Sequence, residues 1–123
     1  MQGFTKYGVG EVRAFSPSAM ATQLGLKSGK VSSGNSFDMS AEDKDLIEKN
    51  EAVVKDMEAA GVAWVANTMK VPLLALKSVT DIVDGGRPSQ EEFMENLHSA
   101  SVALQKTLVE VLEHVSGKKL ESL

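Results

Sequence analysis

Residues 52–81 read AVVKDMEAAGVAWVANTMKVPLLALKSVTD, and three patterns follow one another along them. AVVKDME is a short apolar run that ends in carboxylates, the mark of a strand leaving a sheet. AAGVAWVANTMK then switches to helical spacing, with Val62, Val65, Ala66 and Met69 on one face. Gly61 lies inside that helix, where the lack of a side chain predicts a close approach to the sheet. VPLLALKSV is almost continuously apolar, which suits a strand covered on both faces. Strand, helix and strand in that order predict an α/β fold with a parallel or mixed sheet.

The same alternation extends outward. YGVGEVRAF, residues 7–15, reads as a strand with weak alternation. SPSAMATQLGL follows, with Pro17 near a helix start and Gly25 near its end. GKVSSGNSF is a second short strand that runs into a polar turn. In SAEDKDLIEKN, Ser40 is placed to cap a helix whose first turn carries Glu42 and Asp43, where the helix dipole favours negative charge. Only Leu46 and Ile47 are apolar there, so this helix is expected on the surface. Toward the C-terminus, Ser89 and Glu92 have the spacing of a capping box. Phe93, Leu97, Ala100, Leu104, Leu108, Val111 and Val115 then recur every three or four residues. That spacing predicts a long amphipathic helix of about 40 Å at 1.5 Å per residue, ended by Gly117, with KKLESL as a frayed tail.

Bulk composition narrows the function. The chain has 123 residues, enough for one domain. A net charge of −4 gives no electrostatic reason for nucleic acid or an anionic membrane as a partner. There is no cysteine, so disulfides and thiolate chemistry are excluded. MQGFTKYGVG lacks the pattern of a secretory signal, and no apolar run approaches the roughly 18 residues of a membrane span. A soluble, cytoplasmic chain is expected.

Ligands of α/β sheets bind beyond the carboxyl ends of the strands, and three predicted strands end in polar clusters: SSGNSFD, KDME and SVTD. Glu58, at a strand-to-helix junction, has two readings. It is a first-turn glutamate favoured by the helix dipole, or it holds a diol such as a ribose 2′- and 3′-hydroxyl pair between its two acceptor oxygens. Met57 beside it offers a polarisable wall for a sugar or base. Asp81 is either a turn residue after a strand or a general acid. Burial at the dry end of VPLLALKSV pushes a carboxyl toward its protonated form, Thr80 and Ser78 can tune it by hydrogen bonding, and Lys77 opposes the rise if it points inward. Phe37 is either core or a surface for a planar base.

Other chemistries lack their motifs. His98 and His114 lie sixteen apart on the long helix without convergent ligands, so no metal is expected. GVG at 8–10 is not a dinucleotide fingerprint, SGKVS lacks the earlier glycine of a phosphate loop, and no Gly-x-Ser-x-Gly elbow occurs. No organic cofactor is indicated.

VSSGNSFDMS, VVKDMEAAGVAWVANTMKVPLLALKSVTDIVDG and EEFMENL together resemble the 5′-methylthioadenosine nucleosidases, above all their plant forms. This is a family of the nucleoside phosphorylase superfamily, and the resemblance runs from Tyr7 onward. It implies a three-layer α/β fold and hydrolysis of an N-glycosidic bond, giving adenine and 5-methylthioribose in methionine salvage. Some members also take S-adenosylhomocysteine, and members are typically homodimers. Carried across, Asp81 is the general acid toward adenine N7, and Met57 and Glu58 line the ribose. Lys55 and Asp56 belong to the same substrate-binding segment, and Phe37 lies beside the base. Asp84 then belongs to the loop that holds Asp81.

The resemblance also has departures. Family members are about twice as long, and no residue here corresponds to their water-activating glutamate. Asn35 stands where relatives often carry aspartate. The expectation is the C-terminal half of a phosphorylase-like domain that binds a small nucleoside, is weakly active or inactive alone, and pairs as a homodimer or with a full-length subunit. The alternative is a non-catalytic nucleoside-binding or subunit-interaction fragment.

Overall fold

The computed structural model describes residues 10–83, 86 and 88–123. Helix α1 spans Ser18–Gln23, strand β1 Lys30–Ser33, helix α2 Ala41–Lys49, strand β2 Ala52–Asp56, helix α3 Ala59–Thr68 and helix α4 Ser89–Val115, with a 3₁₀ turn at Leu120–Ser122. The class is α/β, as the alternation of patterns predicts.

β1 and β2 pair in parallel, and α2 is the crossover between them. The register sets Val31 against Val54, Ser32 against Lys55 and Ser33 against Asp56. The two strands therefore finish together, with Ser33 and Asp56 side by side at their carboxyl ends. α2 rests against β2, and α3 against β1.

Ser40 caps α2 as its sequence predicts. Its hydroxyl accepts from the Asp43 amide at 3.1 Å, and the Asp43 carboxylate accepts from the Ser40 amide at 3.1 Å, completing a capping box. α2 buries no residue, in line with its two apolar side chains.

Four expectations are revised. Residues 10–15 of the proposed first strand form no regular element, and residues 7–9 lie outside the described ones. VPLLALKSV is not a strand either. Its backbone meets a distant segment where the Phe15 amide donates to the Leu73 carbonyl at 2.7 Å, and Pro72 has no N–H to offer a neighbour. Continuous apolar character selects for burial between layers, but a strand also needs a partner strand. The capping box at Ser89 does not form. Pro88 takes the N-cap position with no side-chain bond, and Glu92 turns its carboxylate elsewhere. The tail is not frayed: it closes into the 3₁₀ turn, and the Met20 amide donates to the Leu123 carbonyl at 3.1 Å.

Among the described residues the buried apolar side chains are few, and apart from Met20 they are small. Met20 and Ala21 come from α1, Ala63 from α3, and Ala100 and Val111 from α4. α4, with 27 residues, is about 40 Å long. Much of the apolar surface faces outward, including Val53 at 70% and Met69 at 68% exposure. No helix among the described residues is long and apolar enough to cross a membrane.

Candidate functional site

The shared end of β1 and β2 is the polar centre of the structure. The Ser33 hydroxyl donates to Asp56 at 2.5 Å, and the Ala59 amide at the start of α3 donates to the same carboxylate at 3.1 Å. Lys77, 21 residues further on, pairs with Asp56 through its ammonium. The Ser33 hydroxyl also accepts from the Ala60 amide at 2.9 Å. Two of the unpaired N–H groups that open α3 are thus satisfied by the ends of the two strands.

Asp56 is 7% exposed at its side chain. Burial alone pushes its carboxyl up. The Lys77 ammonium, the Ser33 hydroxyl and the Ala59 amide outweigh that and hold it below the usual carboxylate range. Lys77 therefore faces Asp56.

That arrangement bears on Glu58. The residue occupies the N-cap position of α3 yet makes no side-chain cap bond, because Asp56 and Ser33 already supply the acceptors. Glu58 and Met57 are both exposed, Met57 at 44%. Glu58 thus stands at the N-cap of α3, one position before the first turn in which its sequence position set it.

Lys55, one residue before Asp56, turns to the other side of the strand end. Its ammonium donates to the carbonyls of Ser36, Phe37 and Asp38, the last two at 3.0 and 3.1 Å. It fixes the loop that carries Phe37. The Phe37 ring is 46% exposed and meets Phe93 edge-on, with centroids 5.9 Å apart and planes at 85°. Phe37 is thus neither core nor isolated.

Asp81 is half-buried. The Thr80 hydroxyl donates to it at 2.6 Å, the tuning contact its sequence position suggests. The backbone on either side is tied to α4: the Asn96 side-chain amide donates to the Thr80 carbonyl at 2.9 Å, and the Ile82 amide donates to the Glu92 carboxylate at 3.0 Å. Glu92 and Asn96 are one helical turn apart, so they share a face. Sequence reasoning missed both. The sequence suggests a capping box for Glu92, while its i, i+4 spacing with Asn96, with Phe93 between them, is the signal that marks the pair. Asp84, expected in the loop holding Asp81, lies outside the described residues.

The structure thus gathers Lys55, Asp56 and Phe37 around the strand ends, with Met57 and Glu58 on the loop leaving them. It brings the Asp81 segment to the same centre through Lys77. A groove of about 500 Å³ runs along α3, lined by Gly61, Val62, Val65, Ala66, Met69 and Val71, and contains none of these residues. Gly61 faces open space there, which corrects the expected close approach to the sheet. No cluster of metal-ligating side chains occurs among the described residues.

Comparison with known proteins gives the family of the chain. The family model described as "Phosphorylase superfamily" matches residues 9–113. The chain is similar to a 5′-methylthioadenosine nucleosidase of Arabidopsis thaliana, 46% identical over 120 residues, which are 98% of this chain and 45% of the relative. It is similar also to a 5′-methylthioadenosine/S-adenosylhomocysteine nucleosidase of the same plant, 48% identical over 95% of this chain and 46% of the relative. The solved structure of the Arabidopsis thaliana 5′-methylthioadenosine nucleosidase in apo form superposes with a TM-score of 0.89 at 46% identity, covering 95% of this chain and 48% of that one. The chain spans about half the length of the curated relatives it matches.

Proposed function

Because the chain belongs to the phosphorylase superfamily, we propose that it carries the base- and sugar-facing part of a nucleosidase site for 5′-methylthioadenosine. The observation that supports this most is the similarity, over 98% of the chain, to a plant relative named for that substrate. Adenine is a poor leaving group as an anion, so it must gain a proton as the glycosidic bond breaks. In this reading Asp81 gives that proton to adenine N7, with the Thr80 hydroxyl holding the carboxyl in place. Glu58 accepts from the two ribose hydroxyls, and its charge favours the oxocarbenium-like sugar. Met57 lines the sugar, and Phe37 lies beside the base with Phe93 at its edge. Water adds to the sugar carbon, and 5-methylthioribose and adenine leave.

Lys55 and Asp56 support this site from below. Their charged groups are engaged by the 36–38 carbonyls and by Ser33, Ala59 and Lys77, so they shape the pocket through the segments they hold. In the same reading the activity belongs to cytoplasmic methionine salvage, and the chain pairs as a homodimer or with a full-length subunit.

The 123-residue chain alone turns over little or no substrate, since none of its residues takes the part of the water-activating glutamate that the resemblance calls for. Adenine release from 5′-methylthioadenosine, followed with the purified chain, tests this. Turnover at the rate of a full-length nucleosidase, abolished by Asp81→Asn, would contradict the inactivity while supporting the acid. The second reading, a non-catalytic nucleoside-binding fragment, predicts binding with no adenine release at all.

A further inference from the structure

The segments bearing Glu58 and Asp81 are separated by α3 and an extended stretch that has no partner strand among the described residues. Residues 13–15 join α3 to the stretch at Leu73, through the Asn67 side-chain amide on the Arg13 carbonyl and the Phe15 amide on the Leu73 carbonyl. A direct link next to both segments is Asp56, whose carboxylate meets the end of β1 through Ser33, the start of α3 through Ala59, and Lys77. Met57 and Glu58 follow Asp56 directly. Lys77 lies four residues before Asp81, in a segment pinned again at Thr80 by Asn96 and at Ile82 by Glu92.

We propose that the Asp56–Lys77 ion pair is a positioning device, which sets the spacing between the sugar-facing Met57-Glu58 loop and the segment carrying Asp81. This deepens the proposed function and rests on it for the roles of Glu58 and Asp81. Asp56 and Lys77 then act through those two residues without touching the nucleoside. An ammonium held by a carboxylate with several other fixed donors has little freedom to swing, so displacement of one segment is passed to the other. Truncating Lys77 leaves Asp56 capping α3 but cuts the link to residues 77–82.

The test is NMR on the 123-residue chain, with the Met57 methyl and the Ile82 amide as reporters and the Asp43 amide on α2 as a control. In Lys77→Gln both reporters shift while Asp43 stays, and Lys77→Arg returns them toward wild-type positions. A loss of overall stability without a positioning role would leave both reporters in place in the folded state. Calorimetry with 5′-methylthioadenosine adds a second arm: affinity falls about 10-fold in Lys77→Gln and recovers in Lys77→Arg, a coupling of ordinary size. If Met57 or Ile82 fails to move in folded Lys77→Gln, the proposal is overturned. Should Lys77→Gln not fold, Lys77→Met, which keeps the aliphatic stem and removes the charge, is read with the same two reporters; movement of only one overturns the proposal. A wild-type chain that binds no nucleoside speaks against the proposed function alone, since the NMR arm still judges the spacing.

Discussion

Asn96 donates from its side-chain amide to the carbonyl of Thr80 at 2.9 Å, and so a residue in the second turn of α4 holds the backbone beside Asp81. Glu92, one turn earlier, holds the Ile82 amide on the other side. Asp81 is carried between two anchors on one helix face. Glu92→Ala frees the Ile82 amide, and hydrogen exchange at that amide speeds up by about 5-fold, the equivalent of one ordinary hydrogen bond of about 1 kcal/mol. Glu92→Gln keeps an acceptor oxygen and loses less. Equal exchange in wild type and Glu92→Ala would contradict the anchoring.

Asp56→Asn removes the charge that faces Lys77 while leaving one oxygen for Ser33 or Ala59. The carboxylate is 7% exposed and Lys77 is 30% exposed. The loss is expected at about 1–3 kcal/mol in urea unfolding, below the range for a fully buried pair. A change under about 0.5 kcal/mol, the scale of a surface substitution, would show that the pair adds nothing.

The same residue sets part of the acid limb of stability. The Asp56 carboxyl in the folded chain lies below its ordinary value of 3.8. The unfolded state therefore takes up its proton first as pH falls. The stabilisation from Asp56 is fully present above about pH 4, and it is lost as pH drops through the lower folded value. Asp56→Asn should flatten the unfolding curve in that acid window and leave its shape near neutrality unchanged. An acid limb identical to wild type would contradict this.

Ser40→Ala deletes the hydroxyl that caps α2. Asp43, held below the usual carboxylate range by the Ser40 amide and hydroxyl and the Ser36 hydroxyl, loses part of its setting. A cost of about 1 kcal/mol is expected in chemical denaturation, with Ser40→Asp recovering most of it. Equal stability of Ser40→Ala and wild type would contradict the cap.

Much of this architecture was legible in the sequence because local chemistry decides it. Ser40 with acidic residues behind it, the 3.6-residue spacing of α4 and the switch from AVVKD to helical spacing after Glu58 each name their own element. What was not legible depends on partners distant in sequence. VPLLALKSV has the composition of a covered strand, but pairing is a property of its neighbours. Ser89 and Glu92 have capping-box spacing, yet the Ile82 amide claims Glu92 and Pro88 takes the cap position. At the site, the pattern flagged DME and SVTD as strand-end clusters. It could not show that Lys77 would turn to Asp56, or that Asp56 and Ser33 would relieve Glu58 of capping. Those outcomes follow from the parallel register that sets Ser33 against Asp56.

The measurement that bears most directly on the central claim is calorimetric titration of the purified chain with 5′-methylthioadenosine, in wild type and in Glu58→Gln. The account predicts measurable heat at millimolar nucleoside or below in wild type. It predicts a loss of about 10-fold or more in affinity when Glu58 can no longer accept from both ribose hydroxyls. No heat from the wild-type chain at millimolar ligand, or equal affinity in the two proteins, would contradict it.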